Sequence, residues 1–135
     1  MKVPFKVGDK KTYRHIVSDG DLATFHGETL HRVCSTFALA RDMEWSSRLF
    51  FLEMKEADEE GVGTRLSIQH ISPAFVGEEL VFEATFASLE RNELICSISV
   101  MCNGRKIAEG TTGQKMLKKE KLKELFRQDY QDGAV

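Results

Sequence analysis

The sequence is defined first by what it has little of. Its 135 residues include only three cysteines, Cys34, Cys96 and Cys102. They form no CxxC pair and have no zinc-like spacing to histidine, so neither a disulfide framework nor a structural zinc site is expected. Unpaired thiols fit a reducing compartment. No apolar run approaches the roughly 20 residues needed to cross a bilayer. The opening MKVPFKVGDKK has no apolar signal core, and a cytoplasmic location is the expectation. Net charge is only −2, so no global field attracts nucleic acid or an acidic membrane, and neither is expected as a partner. GxxxxGK[ST] and GxGxxG are both missing, which excludes the usual phosphate loops. What remains is 41% hydrophobic and 30% charged residues, the balance of a globular protein. The length is that of a single domain spanning residues 1–135, large enough for a core without staples.

Lys11 to Val17 is β-branched and aromatic and predicts a first strand. Ser18 to Arg32 reads as a long, polar, irregular connection with turn signals at Asp19-Gly20-Asp21 and His26-Gly27, of the kind that often serves as a lid or binding loop. Ser35 or Thr36 then caps a helix that runs to about Lys55. Leu39, Ala40, Met43, Phe50, Phe51 and Met54 share one broad face of it, and Ala38, Trp45, Leu49 and Leu52 fill the other side. A helix apolar nearly all round is expected to be buried. Ala57 to Gly63 is acidic and then glycine-rich, and reads as the exit turn.

Four strands are predicted next, over Thr64–Ile71, Glu79–Leu89, Glu93–Cys102 and Arg105–Leu117. The second alternates Leu80, Phe82, Ala84 and Phe86 against Val81, Glu83, Thr85 and Ala87, the period of a half-buried strand. Asn103-Gly104 is a two-residue hairpin signal. Gly110 and Gly113 suggest a bulge or a close approach. Lys118 to Gln128 reads as a surface helix. Strand, connection, buried helix and four antiparallel strands make an α+β chain. The sheet would wrap around the long central helix, and a second subunit would cover what the sheet leaves open. That is the hotdog arrangement, which is built as a dimer.

Four residues carry candidate chemistry. Glu44 falls at the edge of the apolar helix face, where a partly desolvated carboxylate is a candidate base or nucleophile; an ion pair with Arg48, aided by Arg41, is the competing reading. Thr36 is either an N-cap or a hydroxyl beside unpaired helix N–H groups, where developing negative charge is stabilised. His70 ends a strand just before Ser72-Pro73 and is either a satisfied structural group or a general base. His15, His26 and His31 compete, but none has a matched acid in its own segment. Gly61 and Gly63 bracket Val62 in a turn, or permit backbone approach to a substrate carbonyl. Eight helical residues rise about 12 Å, so Thr36 and Glu44 cannot touch along one straight helix. Either Thr36 lies in a bend before the helix or the set combines two subunits.

The order of these residues, with the text VCSTFALARDMEWS, GVGTRLSIQHISPAFVGEEL and IAEGTTG, resembles the hotdog-fold acyl-CoA thioesterases of the fluoroacetyl-CoA thioesterase type. The resemblance runs from about Val7 to Phe126. It implies cytosolic hydrolysis of an acyl-CoA at a dimer interface, with dimers free to pair into tetramers. Thr36, Glu44 and His70 would form the catalytic set, and Gly63, Thr64, Leu30 and Phe37 would line the substrate. No metal and no bound cofactor is implied, coenzyme A being part of the substrate. Two departures stand out. The family reads G-T-H-x-R where this chain has Gly110-Thr111-Thr112-Gly113-Gln114, the next basic residue being Lys115. The family's aromatic lid residues are replaced by Leu30, His31 and, further back, Phe25. The expected substrate is therefore a short or modified acyl-CoA rather than fluoroacetyl-CoA in particular. A non-catalytic acyl-CoA binder, and a hotdog dehydratase or hydratase, are the alternatives.

Overall fold

A computed structural model describes residues 1–126. Strand β1 (Lys10–Ile16) leads through a single 3-10 turn (Asp19–Asp21) into β2 (Leu22–Phe25) and β3 (Glu28–Cys34). Helix α1 (Thr36–Met54) follows, then β4 (Glu59–His70), β5 (Glu79–Glu90), β6 (Glu93–Cys102), β7 (Arg105–Lys118) and the short α2 (Lys119–Leu125). The main sheet is antiparallel in the order β1-β5-β6-β7-β4, and α1 touches all five of its strands. This is the hotdog fold. Of the surface helix expected over Lys118–Gln128, Arg127 and Gln128 lie outside the described residues.

The sheet follows from its alternation. Leu80, Phe82, Ala84 and Phe86 on β5 are buried, as are Leu94, Cys96, Ile98, Val100 and Cys102 on β6. The register sets Phe82 opposite Val100, Ala84 opposite Ile98 and Phe86 opposite Cys96, so both strands send the same face under the helix. Phe50 of α1 meets Phe86 edge-on at 5.6 Å and Phe5 at 5.0 Å. Asn103 and Gly104 take positive φ values of 48° and 77° at the β6–β7 hairpin, the pairing a tight turn of that twist requires.

Three expectations are corrected. Ser18–Arg32 is not an irregular connection: most of it is the β2–β3 hairpin, turning at His26 and Gly27 (φ 52° and 80°). Apart from its root, Leu22, Ala23, Val33 and Cys34, the ribbon is exposed on both faces. It therefore carries no apolar alternation by which a strand is recognised. Gly61 and Gly63 are not in a turn but inside β4, with a register shift between Gly63 and Arg65. A side chain at Gly61 would put Cβ 2.6 Å from the Phe51 ring, and one at Gly63 would collide with Glu44 Oε1. These glycines let helix and strand approach. Finally, α1 is not buried all round within one chain. Leu39, Met43, Phe50, Phe51 and Met54 are sealed, but Phe37, Trp45 and Leu52 on the outer side are exposed, Phe37 by 79%.

Candidate active site

Thr36 and His70 meet because their segments are stitched together. The Cys34 amide donates to the Ala74 carbonyl, tying the start of α1 to the segment after β4, and the Ile71 and Ser72 amides both donate to the Ile107 carbonyl. Ser35, not Thr36, caps the helix: its Oγ accepts from the Ala38 amide at 2.9 Å. Thr36 is the first helical residue, so its hydroxyl is free of capping duty. That hydroxyl lies 2.9 Å from His70 Nδ1. Among the described residues His70 Nε2 is buried without a hydrogen-bond partner, a costly arrangement that a structural histidine would not favour. Because Thr36 belongs to the helix proper, a bend before the helix does not bring it to Glu44.

Glu44 sits in a separate cavity of about 250 Å³ with Arg41, Trp45, Arg48, Gly61, Gly63 and Gln114. Both readings of it from the helical wheel need revision. It is exposed in this chain rather than desolvated. It also makes no ion pair with Arg48 or Arg41. Arg48 reaches Glu60 at 2.5 Å, and Arg41 reaches Asp21 at 3.1 Å and Asp42 at 2.9 Å. Among the described residues the Glu44 carboxylate has no hydrogen-bonding or ionic partner, and it rests over Gly63.

The other expected substrate-side residues are dispersed. Thr64 donates its hydroxyl to Glu93 Oε2 at 2.8 Å. Leu30 is exposed on the hairpin. Phe37 lines a cavity of about 400 Å³ beneath that hairpin, with Leu22, Phe25, Ala38 and Arg41 among its other walls.

Sequence reasoning missed four polar connections. His15 Nε2 lies 2.7 Å from Asp21 Oδ2 and so does have an acid, six residues on, at the end of the Asp19-Gly20-Asp21 turn signal. Asp21 and Asp42 are both buried, and both hold Arg41. Burial pushes the Asp21 carboxyl up, but bonds from the Ser18 amide, His15 and Arg41 outweigh it and bring it down to about 2. Burial also opposes ionisation of Glu60, and Arg48, the Gly61 amide and Lys55 likewise bring it to about 2. Gln114, buried, donates to Ser47 Oγ at 2.6 Å, and Ser47 donates to the Glu44 carbonyl at 2.7 Å. Lys115 is exposed, on the opposite side of β7 from Gln114. Among the described residues no group of three or more His, Cys, Asp or Glu is placed to hold a metal ion, and no helix is long and apolar enough to cross a membrane.

A family model described as fluoroacetyl-CoA-specific thioesterase matches residues 17–120. Among solved structures, a Thermus thermophilus hypothetical protein of the thioesterase superfamily is 26% identical over 93% of both chains, with a TM-score of 0.88. A mutant of the fluoroacetyl-CoA-specific thioesterase is 21% identical over 94% of this chain and 98% of its own, with a TM-score of 0.85. A hot-dog-like protein from Thermanaerovibrio acidaminovorans is 20% identical over 94% of both chains, with a TM-score of 0.85. No curated protein matches.

Proposed function

The chain belongs to the fluoroacetyl-CoA-specific thioesterase family, and from that premise we propose that it hydrolyses a short or modified acyl-CoA thioester, with Thr36, His70 and Glu44 as the reacting groups. The observation that carries this reading is the 2.9 Å contact between Thr36 Oγ1 and His70 Nδ1, made by a threonine whose neighbour has taken over the capping role. In the proposed sequence Thr36 Oγ attacks the thioester carbonyl while His70 Nδ1 takes its proton. The C–S bond breaks, and His70 returns the proton to the departing thiolate of coenzyme A. Water then attacks the Thr36 ester. Glu44 accepts the water's proton and returns it to the Thr36 oxygen as the acid leaves. The helix N-terminus favours the developing oxyanion.

Glu44 joins the pair across a dimer. The five-stranded sheet ends in β4, a 12-residue strand with one unpaired edge, a template for a second copy. His70 stands at one end of β4, and Gly63, under Glu44, lies about 23 Å back along it. Antiparallel pairing of two β4 edges, with the two-fold between Leu66 and Ser67, sets Gly63 of one copy opposite His70 of the partner subunit. Glu44 of each chain then approaches Thr36 of the other.

A panel of acyl-CoAs with thiol-release detection tests the activity. Turnover of at least one short acyl-CoA that disappears in Thr36→Ala supports the reading; thermal stabilisation by acyl-CoA without thiol release overturns it in favour of a binding protein. Accumulation of acylated Thr36 in Glu44→Gln, read by mass spectrometry, supports the two-step route. Its absence together with loss of turnover favours Glu44 acting directly on water.

A further inference from the structure

Glu44 stands on α1 between two arginines at helix-contact spacing, Arg41 at i−3 and Arg48 at i+4. Either one would ordinarily pair with it. They are also the charged groups that line its cavity, the remaining walls being Trp45, Gly61, Gly63 and the neutral Gln114 of β7. Arg48 and Glu44 lie side by side over β4. A Cβ built at Gly61 would meet Arg48 Nη1 at 3.3 Å, and one at Gly63, two residues along the same face, would meet the Glu44 carboxylate. Yet neither arginine is paired with Glu44. Glu60, next to Gly61 on β4, takes Arg48 at 2.5 Å and is itself bound by Lys55 at 3.0 Å. Asp21, from the turn before the hairpin, and Asp42 take Arg41, and Asp21 is further fixed by the Ser18 amide and His15.

We propose that Glu60, and Asp21 together with Asp42, are positioning residues that hold Arg48 and Arg41 off Glu44 and so keep its carboxylate unpaired. Glu60 acts from the strand under the site, and Asp21 acts from the root of the hairpin. The consequence for the reaction rests on Glu44 being the base proposed above. A carboxylate locked against a guanidinium would accept a proton poorly and would have its reach restricted. The placement of the arginines itself does not rest on that reading.

The test is a carboxyl-carbon NMR titration of Glu44 in the full chain, its signal assigned by loss in Glu44→Gln. In Glu60→Gln the freed Arg48 should turn to Glu44 and lower its titration midpoint by about half a pH unit or more relative to the unsubstituted chain. Adding Arg48→Met to Glu60→Gln should abolish that drop, a rescue that general loosening of the fold would not give. The double variant Asp21→Asn with Asp42→Asn, which removes both carboxylates on Arg41, should act in the same direction, and provides a second route should Glu60→Gln fold poorly. An unchanged midpoint in folded Glu60→Gln, or in the folded Asp21→Asn, Asp42→Asn chain should Glu60→Gln not fold, overturns the proposal. The acid limb of kcat/KM is followed in parallel. If it moves with the Glu44 signal, both inferences hold together. If the signal moves and the limb stays, the arginines are held off as proposed and Glu44 is not the base.

Discussion

The two ends of β4 present the same kind of chemistry in opposite states of completion. At the His70 end, hydroxyl and imidazole are already in contact within one chain, and the backbone on both sides of that contact is bonded across. At the Gly63 end, a carboxylate sits over a glycine with both neighbouring cations drawn away. One end is assembled by folding; the other is left with an open valence. Under the proposed reaction the unit of function is larger than the unit of folding, because a single straight helix keeps Thr36 and Glu44 about 12 Å apart.

The sharpest way to break that comparison is to separate the two ends genetically. Thr36→Ala and Glu44→Ala should each fold and each lose turnover by about a thousandfold, the scale of removing a nucleophile or base. Mixed and re-equilibrated, they should recover about a quarter of normal activity, since half of the random dimers carry one site with neither substitution. If the set worked within one chain, every mixed site would carry a substitution and nothing would return. Stable monomers in a sedimentation run would remove the two-chain site altogether.

Much of this was legible in the sequence. Alternation on β5 and the long apolar helix declared themselves because each buries a face and burial imposes a period, and Asn103-Gly104 did so because a tight hairpin turn needs residues that accept positive φ. The β2–β3 hairpin did not, because its strands beyond the root bury nothing. Gly61 and Gly63 looked like a turn because glycine's two uses, positive φ and close approach, look alike in one dimension. Thr36 and His70 could be named as candidates, but their contact depends on cross-links from Cys34 to Ala74 and from Ile71 to Ile107. The fate of Arg41 and Arg48 was hidden for the same reason: Asp21 and Glu60 lie on other elements, beyond the reach of a helical wheel.

The two close-approach glycines sharpen the contrast further. Gly63→Ala pushes on the far end of a side chain, Glu44 Oε1, whereas Gly110→Ala pushes on the Ser67 backbone carbonyl. Gly63→Ala should cost about a hundredfold in kcat, as expected for a displaced reacting group, with less than about 1 kcal/mol of stability lost because a side chain can move aside. Gly110→Ala should lose about 2–3 kcal/mol in denaturant unfolding, since a backbone oxygen in a paired strand cannot move aside. Equal stability losses at the two positions would erase the distinction.

Acid acts on the arginine anchors. Asp21 is held at about 2 when folded, against about 3.9 in an unfolded chain, and Glu60 is lowered likewise. A depressed carboxyl contributes stability that is complete above its unfolded value and is lost as pH falls through its folded one. The chain should therefore weaken between about pH 5 and pH 2, with Asp21 accounting for about 2 kcal/mol. Asp21→Asn should flatten that slope in urea unfolding series taken across the range. An unchanged slope would show that Asp21 is not among the groups responsible.

The smallest effect separates two adjacent hydroxyls. Ser35 spends its oxygen on the Ala38 amide, and Thr36 directs its oxygen at His70. Ser35→Ala should remove about 1 kcal/mol of stability, the usual cost of losing an N-cap, and leave turnover within a few fold, because Cys34 and the Asp21 carbonyl, which accepts from the Ser35 amide, still fix the helix start. Thr36→Ala should do the reverse, sparing stability, since its neighbour carries the cap, and removing turnover. Thermal melts and thiol-release rates on the same two variants read both quantities. If Ser35→Ala abolished activity, the helix start would need its cap to hold Thr36 against His70, and the division of labour between the two hydroxyls would fail.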